Sequence, residues 1–309
     1  MFISPSGNEI GPFLSVEQAG LAQIIPDERR TSVFAWYNLA GSFATATGAL
    51  CGGWLVQILQ GRGWSALVAY QTVLGAYATG GLILLLLFLM LSAAVEVPQK
   101  IPVRAKRVLG LDRSRAVVLR LSALFALDAF AGGLILQSMI AYWFHLKFGV
   151  ATGLLGSLFF GANILAGLSA LLAVPLAKRF GLINTMVFTH VPSNLLLLLV
   201  PLMPTLPLAI GVLLVRFSIS QMDVPTRQSY TMAVVAPDER SAAAGVTGIA
   251  RSVGASLAPV LTGVFLASPA LLSLPFFLCG GLKLVYDLAL YRSFRAIKAP
   301  EEHGSQSGH

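Results

Sequence analysis

The sequence predicts an all-α integral membrane protein, a bundle of about nine transmembrane helices, and three observations carry the prediction. Composition is the first: of 309 residues, 56% are hydrophobic and 11% charged, with mean hydropathy +0.78, where an average soluble domain carries about 25% charged residues. The second is run length. Apolar stretches continue for about 20 to 30 residues without alternating every second position; in lipid, where the backbone must satisfy its own polar groups, that pattern selects helices. The third is a repeat: Pro-Asp-Glu-Arg stands at Pro26 to Arg29 and again at Pro237 to Arg240, each between a long apolar stretch and a Gly-rich one. The same offset carries Gly52 onto Gly263. Two related halves in one membrane follow.

In chain order, the first span, 3–25, is apolar except for Asn8, Glu9, Glu17 and Gln18 and stops at Pro26. Spans 33–60 and 66–95 are parted by Gly61-Arg62-Gly63, residues that favour a turn. A basic segment, 96–115, follows, with Lys100, Arg104, Lys106, Arg107, Arg113 and Arg115. Span 116–144 contains Asp128 and Gln137, and span 151–177 runs up to Lys178-Arg179. Between spans 182–202 and 206–235, Pro201, Pro204 and Pro207 mark a tight turn in an otherwise continuous apolar stretch. Span 241–267 is Gly-rich, and span 270–292 leads into a polar tail, 293–309, expected to be disordered.

The basic residues then set an orientation. With nine spans, Arg29, Arg30, the basic segment, Lys178, Arg179, Arg240, Arg292, Arg295 and Lys298 share one side, and the opposite connections hold only Arg62 and Lys147. Cytoplasmic loops collect Lys and Arg, so that side and the carboxyl terminus are expected in the cytoplasm of a cell or inner membrane. The pI of about 9.8 reflects this topology. No folded basic module accompanies the cluster, so nucleic acid is not an expected partner.

Four stretches match a known pattern. Gly48-Ala49-Leu50-Cys51-Gly52-Gly53 resembles an antiporter motif ending Gly-Pro-x-x-Gly-Gly, with Ala49 in place of the proline, and its counterpart keeps Gly254, Pro259 and Gly263. Leu176, Arg179 and Gly181 fit the loop signature Gly-x-Leu-x-Asp-Arg-x-Gly-Arg, from which Val174, Lys178 and Leu182 depart. The fourth is Gln221 to Tyr230, ahead of the second Pro-Asp-Glu-Arg. With these motifs the chain resembles drug-efflux-like members of the major facilitator superfamily, over their fourth to twelfth helices. The resemblance implies a partial N-terminal half of three helices (1–95), a cytoplasmic linker (96–115) and a complete six-helix C-terminal half (116–292). It also implies an amino-terminally truncated chain, either an incomplete gene model or an inactive fragment.

Charges inside spans carry most of the functional information, because each costs about 2.5–3.5 kcal/mol at a helix centre on insertion scales. Arg216, Ser220, Asp223, Arg227 and Tyr230 are spaced 4, 3, 4 and 3, which puts all five on one face of one helix. Asp223 and Arg227 alone would make a structural pair; Arg216 and Tyr230 exceed that need and suggest a stripe lining a wet cavity. Pro225 would leave the carbonyl of Gln221 without its intrahelical donor.

The resemblance places the first span and the span of Arg227 at the central cavity, so Glu17 and Arg227 are expected to face each other there, with Gln18 alongside. A partly desolvated carboxylate in that position is suited to load a proton, and Glu17, Glu9 and Asp128 are the candidates in that order. Gln137, nine residues from Asp128 and on the opposite face, is a further cavity candidate on a helix that cannot present both if straight.

Arg29, Asp238, Glu239, Arg240 and Arg179 are read as helix caps or as a cytoplasmic gate latch. Small residues let helices approach closely, so the glycines read first as packing. Lys283 and Asp287, four apart, read as a pair; Arg251 and Asn163 read as cavity or bridging residues. His145, His190, His303 and His309 are scattered, no metal-ligand spacing appears, and Cys51 and Cys279 lie within spans, so neither an enzyme nor a cofactor is expected. The expected partners are the lipid bilayer, a small-molecule substrate and protons, with the chain a monomer. The expected function is secondary active transport by alternating access, as proton-coupled efflux. The alternatives are a symporter for an anionic nutrient and a non-transporting fragment.

Overall fold

The computed structural model describes residues 25–90, 110–266 and 268–296, and its regular elements are all helical. They are α1 (Asp27–Gly61), α2 (Ala66–Leu89), α3 (Arg115–Gly133), α4 (Gln137–Phe148), α5 (Thr152–Phe180), α6 (Leu182–Leu199), α7 (Leu206–Phe217), α8 (Asp223–Ala233), α9 (Arg240–Leu266) and α10 (Leu274–Phe294). Among the described residues seven helical stretches are long and apolar enough to cross a membrane, with α3 and α4 together forming one of them; Leu206–Phe217 is shorter. The predicted span 3–25 lies outside the described residues.

The boundaries follow local chemistry. Gly149, at φ 67°, closes α4 in the left-handed region that glycine adopts without strain. The three prolines do form the expected turn: Val200–Leu202 is a short 3₁₀ element, and Pro207 opens α7, where a missing N–H costs nothing. The expectation of one helix over 206–235 is corrected. The chain leaves helical geometry after Phe217 and resumes it at Asp223, because an unbroken helix would set the Pro225 ring against the Gln221 carbonyl. In the first turn of α8 that clash is gone. The freed Gln221 N–H donates to Ser169 Oγ at 3.2 Å.

α1 lies along α5, α3 along α9, and α10 packs on α6 and α3. Backbone proximity sets the α1–α5 distance. A Cβ on Gly53 would sit 2.8 Å from the Thr152 carbonyl oxygen and 2.9 Å from Gly156 Cα, and one on Gly156 would sit 2.8 Å from the Ala49 carbonyl oxygen. Gly53, at the end of the run 48–53, is thus used to bring two backbones together. Gly53→Ala is expected to destabilise by about 1–3 kcal/mol, the usual cost of overpacking; a melting temperature in detergent equal to wild type would show that the two helices simply part.

Two apolar clusters occupy opposite ends of the α3–α10 bundle. One gathers Trp143, Phe144, Phe159, Phe217 and Phe276; the other Phe125, Met186, Tyr230, Tyr286 and Phe294. Along α3, α6 and α10 a charged or titratable residue falls between them: Asp128, His190 and Lys283. Each helix therefore brings its polar side chain to one intermediate layer.

Candidate functional site

That layer opens onto a cavity of about 630 Å³ walled by α1, α3 and α6 to α10. The break between α7 and α8 supplies part of its wall through Ser220 and Gln221. Breaking the helix delivers Arg216 from one segment and Asp223 and Arg227 from the next. Ala40, Gly41, Ala44, Ala129, Gly132 and Ala255 add small residues to the lining.

The charges make a connected network. Arg227 Nη1 donates to Asp128 Oδ2 at 3.0 Å and lies 3.5 Å from Asp223 Oδ2. Lys283 Nζ donates to the other Asp128 oxygen at 2.5 Å. Asp128 therefore bridges two cations across three helices, which corrects the expectation that Lys283 pairs with Asp287. Residues four apart on one helix can meet, but each found a nearer partner on a neighbouring helix. Asp287 instead accepts from Asn194 Nδ2 at 3.0 Å and lies 2.7 Å from His190 Nδ1.

Arg216 and Arg251 complete the lining with side chains whose buried Nε atoms have no hydrogen-bond partner among the described residues. Among the described residues, four basic side chains (Arg216, Arg227, Arg251, Lys283) face two carboxylates (Asp128, Asp223), an excess of two positive charges in that part of the lining.

Other candidates fall elsewhere. Tyr230 is fully buried in the aromatic cluster, edge-on to Phe294 with centroids 6.1 Å apart, and does not reach the cavity. Its seven-residue spacing from Asp223 keeps them on one side of α8, but two turns apart in depth. Gln137 begins α4 after α3 has ended, and its Oε1 accepts from Asn163 Nδ2 at 3.1 Å. Because α3 and α4 are not one straight helix, Gln137 braces α5 rather than lining the cavity. Glu9, Glu17 and Gln18 lie outside the described residues.

The gate candidates separate into distinct structural roles. The Glu239 carboxylate accepts the backbone N–H groups of Asp112, Arg113 and Ser114 at 2.8, 3.0 and 2.9 Å. It caps the start of α3 from across the chain, where the orphan N–H groups and the helix dipole favour a negative charge. Arg240 Nε donates to the Met232 carbonyl at 3.0 Å, and the Arg179 guanidinium lies over the Phe180 ring. Arg29 is exposed, and Asp238 lies in the short 3₁₀ element beside Glu239. Of the two readings of Glu239, helix cap and gate latch, the carboxylate's contacts are those of a cap. Glu239→Ala is expected to cost at least about 2 kcal/mol, since hydrogen bonds to charged groups are each worth about 1.5–3. An unchanged unfolding midpoint in detergent would remove that role.

At the same end α1 meets α8 and α9. Thr31 Oγ1 donates to Ser229 Oγ at 2.8 Å, Asn38 Nδ2 donates to Gln228 Oε1 at 3.0 Å, and Phe34 packs on Met232 and Ala244. Sequence reasoning did not single out His190, Asn38 or Gln228 as site residues. Their signal is only visible in three dimensions, since each partner stands about 100 to 200 residues away in sequence.

Comparison with known proteins agrees with this architecture. The uncharacterized membrane protein YJR124C of Saccharomyces cerevisiae is 27% identical over 327 residues, covering 96% of this chain and 73% of that protein. In fold, the chain is similar to the human organic anion transporter MFSD10 (TETRAN), with TM-score 0.60 and 18% identity over 90% of this chain and 67% of that one. It is also similar to a bacterial homologue of the iron transporter ferroportin in an outward-facing state, with TM-score 0.59 and 14% identity over 93% and 67%. Residues 9–259 match the Major Facilitator Superfamily. The chain belongs to that superfamily and is an integral, multi-pass membrane transporter rather than an enzyme.

Proposed function

We propose that the chain moves a small amphiphilic anion together with a proton, by alternating access. The two halves read from the sequence, 1–95 and 116–292, would rock about the cavity with 96–115 as their linker. The observation that carries the reading is the pair Arg216 and Arg251, whose buried Nε atoms find no hydrogen-bond partner among the described residues, in a cavity whose described lining carries an excess of two positive charges. Buried cationic donors without partners are costly, and a substrate carboxylate, sulfonate or phosphate would satisfy them. The small residues of the lining leave room for an apolar body attached to that head group.

The charge also argues for a proton. Bringing a monoanion to the negative side of a membrane costs about 2.3 kcal/mol per 100 mV, and one proton per anion cancels that cost. The glycine run 48–53, the motif that suggested antiport and efflux, is occupied at Gly53 with α1–α5 packing and bears on no direction of transport. The α1–α8 contacts at the basic end, which we assign to the cytoplasmic side, would form the closed gate in this conformation.

The test uses sulfonates, which do not cross bilayers as neutral acids. Benzenesulfonate and naphthalenesulfonate are expected to raise the melting temperature of the purified protein in detergent, and their sulfonamides are not. Both sulfonates are also expected to accumulate in proteoliposomes under an inward proton gradient, relative to protein-free vesicles. Equal stabilisation by sulfonate and sulfonamide, with no gradient-dependent uptake, would sink the reading.

A further inference from the structure

We propose that His190, held by Asp287 and Asn194, is the residue that takes up and releases the coupled proton. This rests on the proton-coupled reading above and assigns the proton to a site distinct from Glu9, Glu17 and Asp128. His190 lies in the polar layer of α6, is 6% exposed and lines the cavity. Its Nδ1 is 2.7 Å from Asp287 Oδ1, and Asn194 Nδ2 donates to Asp287 Oδ2 at 3.0 Å. Both carboxylate oxygens are thereby engaged, and the carboxylate is fixed against the ring.

This arrangement decides where a proton can come and go. An ionised Asp287 can only accept, so the shorter contact takes Nδ1–H as donor, while the Asn194 amide, 3.2 Å from the same nitrogen, donates to the other carboxylate oxygen; the Nδ1 proton then stays in place. Exchange then falls to Nε2, which has no hydrogen-bond partner among the described residues. On loading, a hydronium ion in the cavity gives its proton to the Nε2 lone pair and leaves water. On release, Nε2–H returns the proton to water. The unprotonated state holds one buried negative charge on Asp287, and the protonated state is a neutral ion pair. Imidazole is the side chain whose ordinary titration makes such a change available near neutral pH.

The surroundings favour His190 over Asp128 for this task. Asp128 is tied to both Arg227 and Lys283, so a proton on it would leave Lys283 without its carboxylate. Around His190, α10 presents Asp287, Lys283 and Tyr286, whose ring is edge-on to the imidazole at 5.9 Å. α8 presents Asp223, Arg227 and, in the cluster with Phe125 and Phe294, Tyr230. Arg216 reaches the cavity from α7, Arg251 from α9 and Asp128 from α3. The charges on α5, Lys178 and Arg179, stand at its end, in its last turn.

Asp128, Asp223, Arg227 and Lys283 compensate one another, so among the described cavity residues the charge left to act on His190 is that of Arg216 and Arg251. Those two repel an imidazolium until an anion neutralises them. Anion binding therefore favours proton binding, and by linkage the proton favours the anion to the same degree.

Two measurements on the full chain test this. With imidazole-labelled histidine, the His190 NMR signal, assigned by its loss in His190→Gln, is expected to move when the protein is acidified. In Asp287→Asn it is expected to need more acid. A signal indifferent to pH, or unchanged by Asp287→Asn, overturns the proposal. In proteoliposomes, His190→Gln is expected to lose gradient-driven naphthalenesulfonate accumulation by about tenfold more than naphthalenesulfonate exchange, the range of a typical coupling energy. Equal loss of both, or loss of neither, also overturns it. Wild-type protein that moves no sulfonate while His190 still titrates through Asp287 would defeat the anion reading and leave the proton site standing.

Discussion

Asp128→Asn is expected to destabilise the protein by about 3–5 kcal/mol, the cost of removing one partner from a buried ion pair. The carboxylate is 5% exposed and receives Arg227 on one oxygen and Lys283 on the other. The two cations fare differently when it goes. Arg227 retains Asp223 at 3.5 Å. Lys283, on the cavity wall, is left without its carboxylate, because Asp287, its neighbour one turn along, is already engaged with His190 and Asn194. Adding Lys283→Met removes the stranded charge and keeps most of the side-chain volume. The double variant is therefore expected to recover most of the loss, since replacing a whole buried pair by apolar groups is often near neutral. Thermal unfolding of both variants in detergent checks this, and a double variant as unstable as Asp128→Asn alone would mean that Lys283 is not the stranded group.

The same network shows what was legible in the sequence and why the rest was not. Apolar run length located the helices because the bilayer thickness is an external ruler that every spanning segment must satisfy. The cost of a charge in lipid likewise marked Arg216, Asp223, Arg227 and Asp128, and the structure places all four on the cavity. Helical spacing was a poorer guide where a proline changed the geometry. Pro225 was noticed for the carbonyl it would orphan, yet the chain avoids that cost by breaking the helix, and Tyr230 then belongs to the aromatic cluster. Pairing was least legible. Lys283 and Asp287 are four apart and oppositely charged, but packing of α10 between α3 and α6 offers each a partner at closer range. His190 looked isolated for the same reason, its acid being 97 residues away on another helix.

Arg216 and Arg251, whose buried Nε atoms lack a partner among the described residues, carry the other large effect. Arg216→Gln and Arg251→Gln are each expected to weaken naphthalenesulfonate binding by about 10- to 100-fold, the equivalent of one hydrogen bond to a charged group at about 1.5–3 kcal/mol. The neutral sulfonamide offers no charge to either guanidinium, so its weak binding is expected to change little. If both arginines hold one head group, they act as a unit, and the double variant loses less than the sum of the two single losses. Lysine is a test of geometry rather than charge: it keeps the positive field but lacks the planar fork that grips two oxygens at once, so Arg216→Lys is expected to recover only part of the affinity. Titrating each variant with both ligands and following thermal stabilisation gives the comparison. Parallel losses for sulfonate and sulfonamide would make the arginines packing residues, and full recovery in Arg216→Lys would reduce their role to bulk positive potential in the cavity.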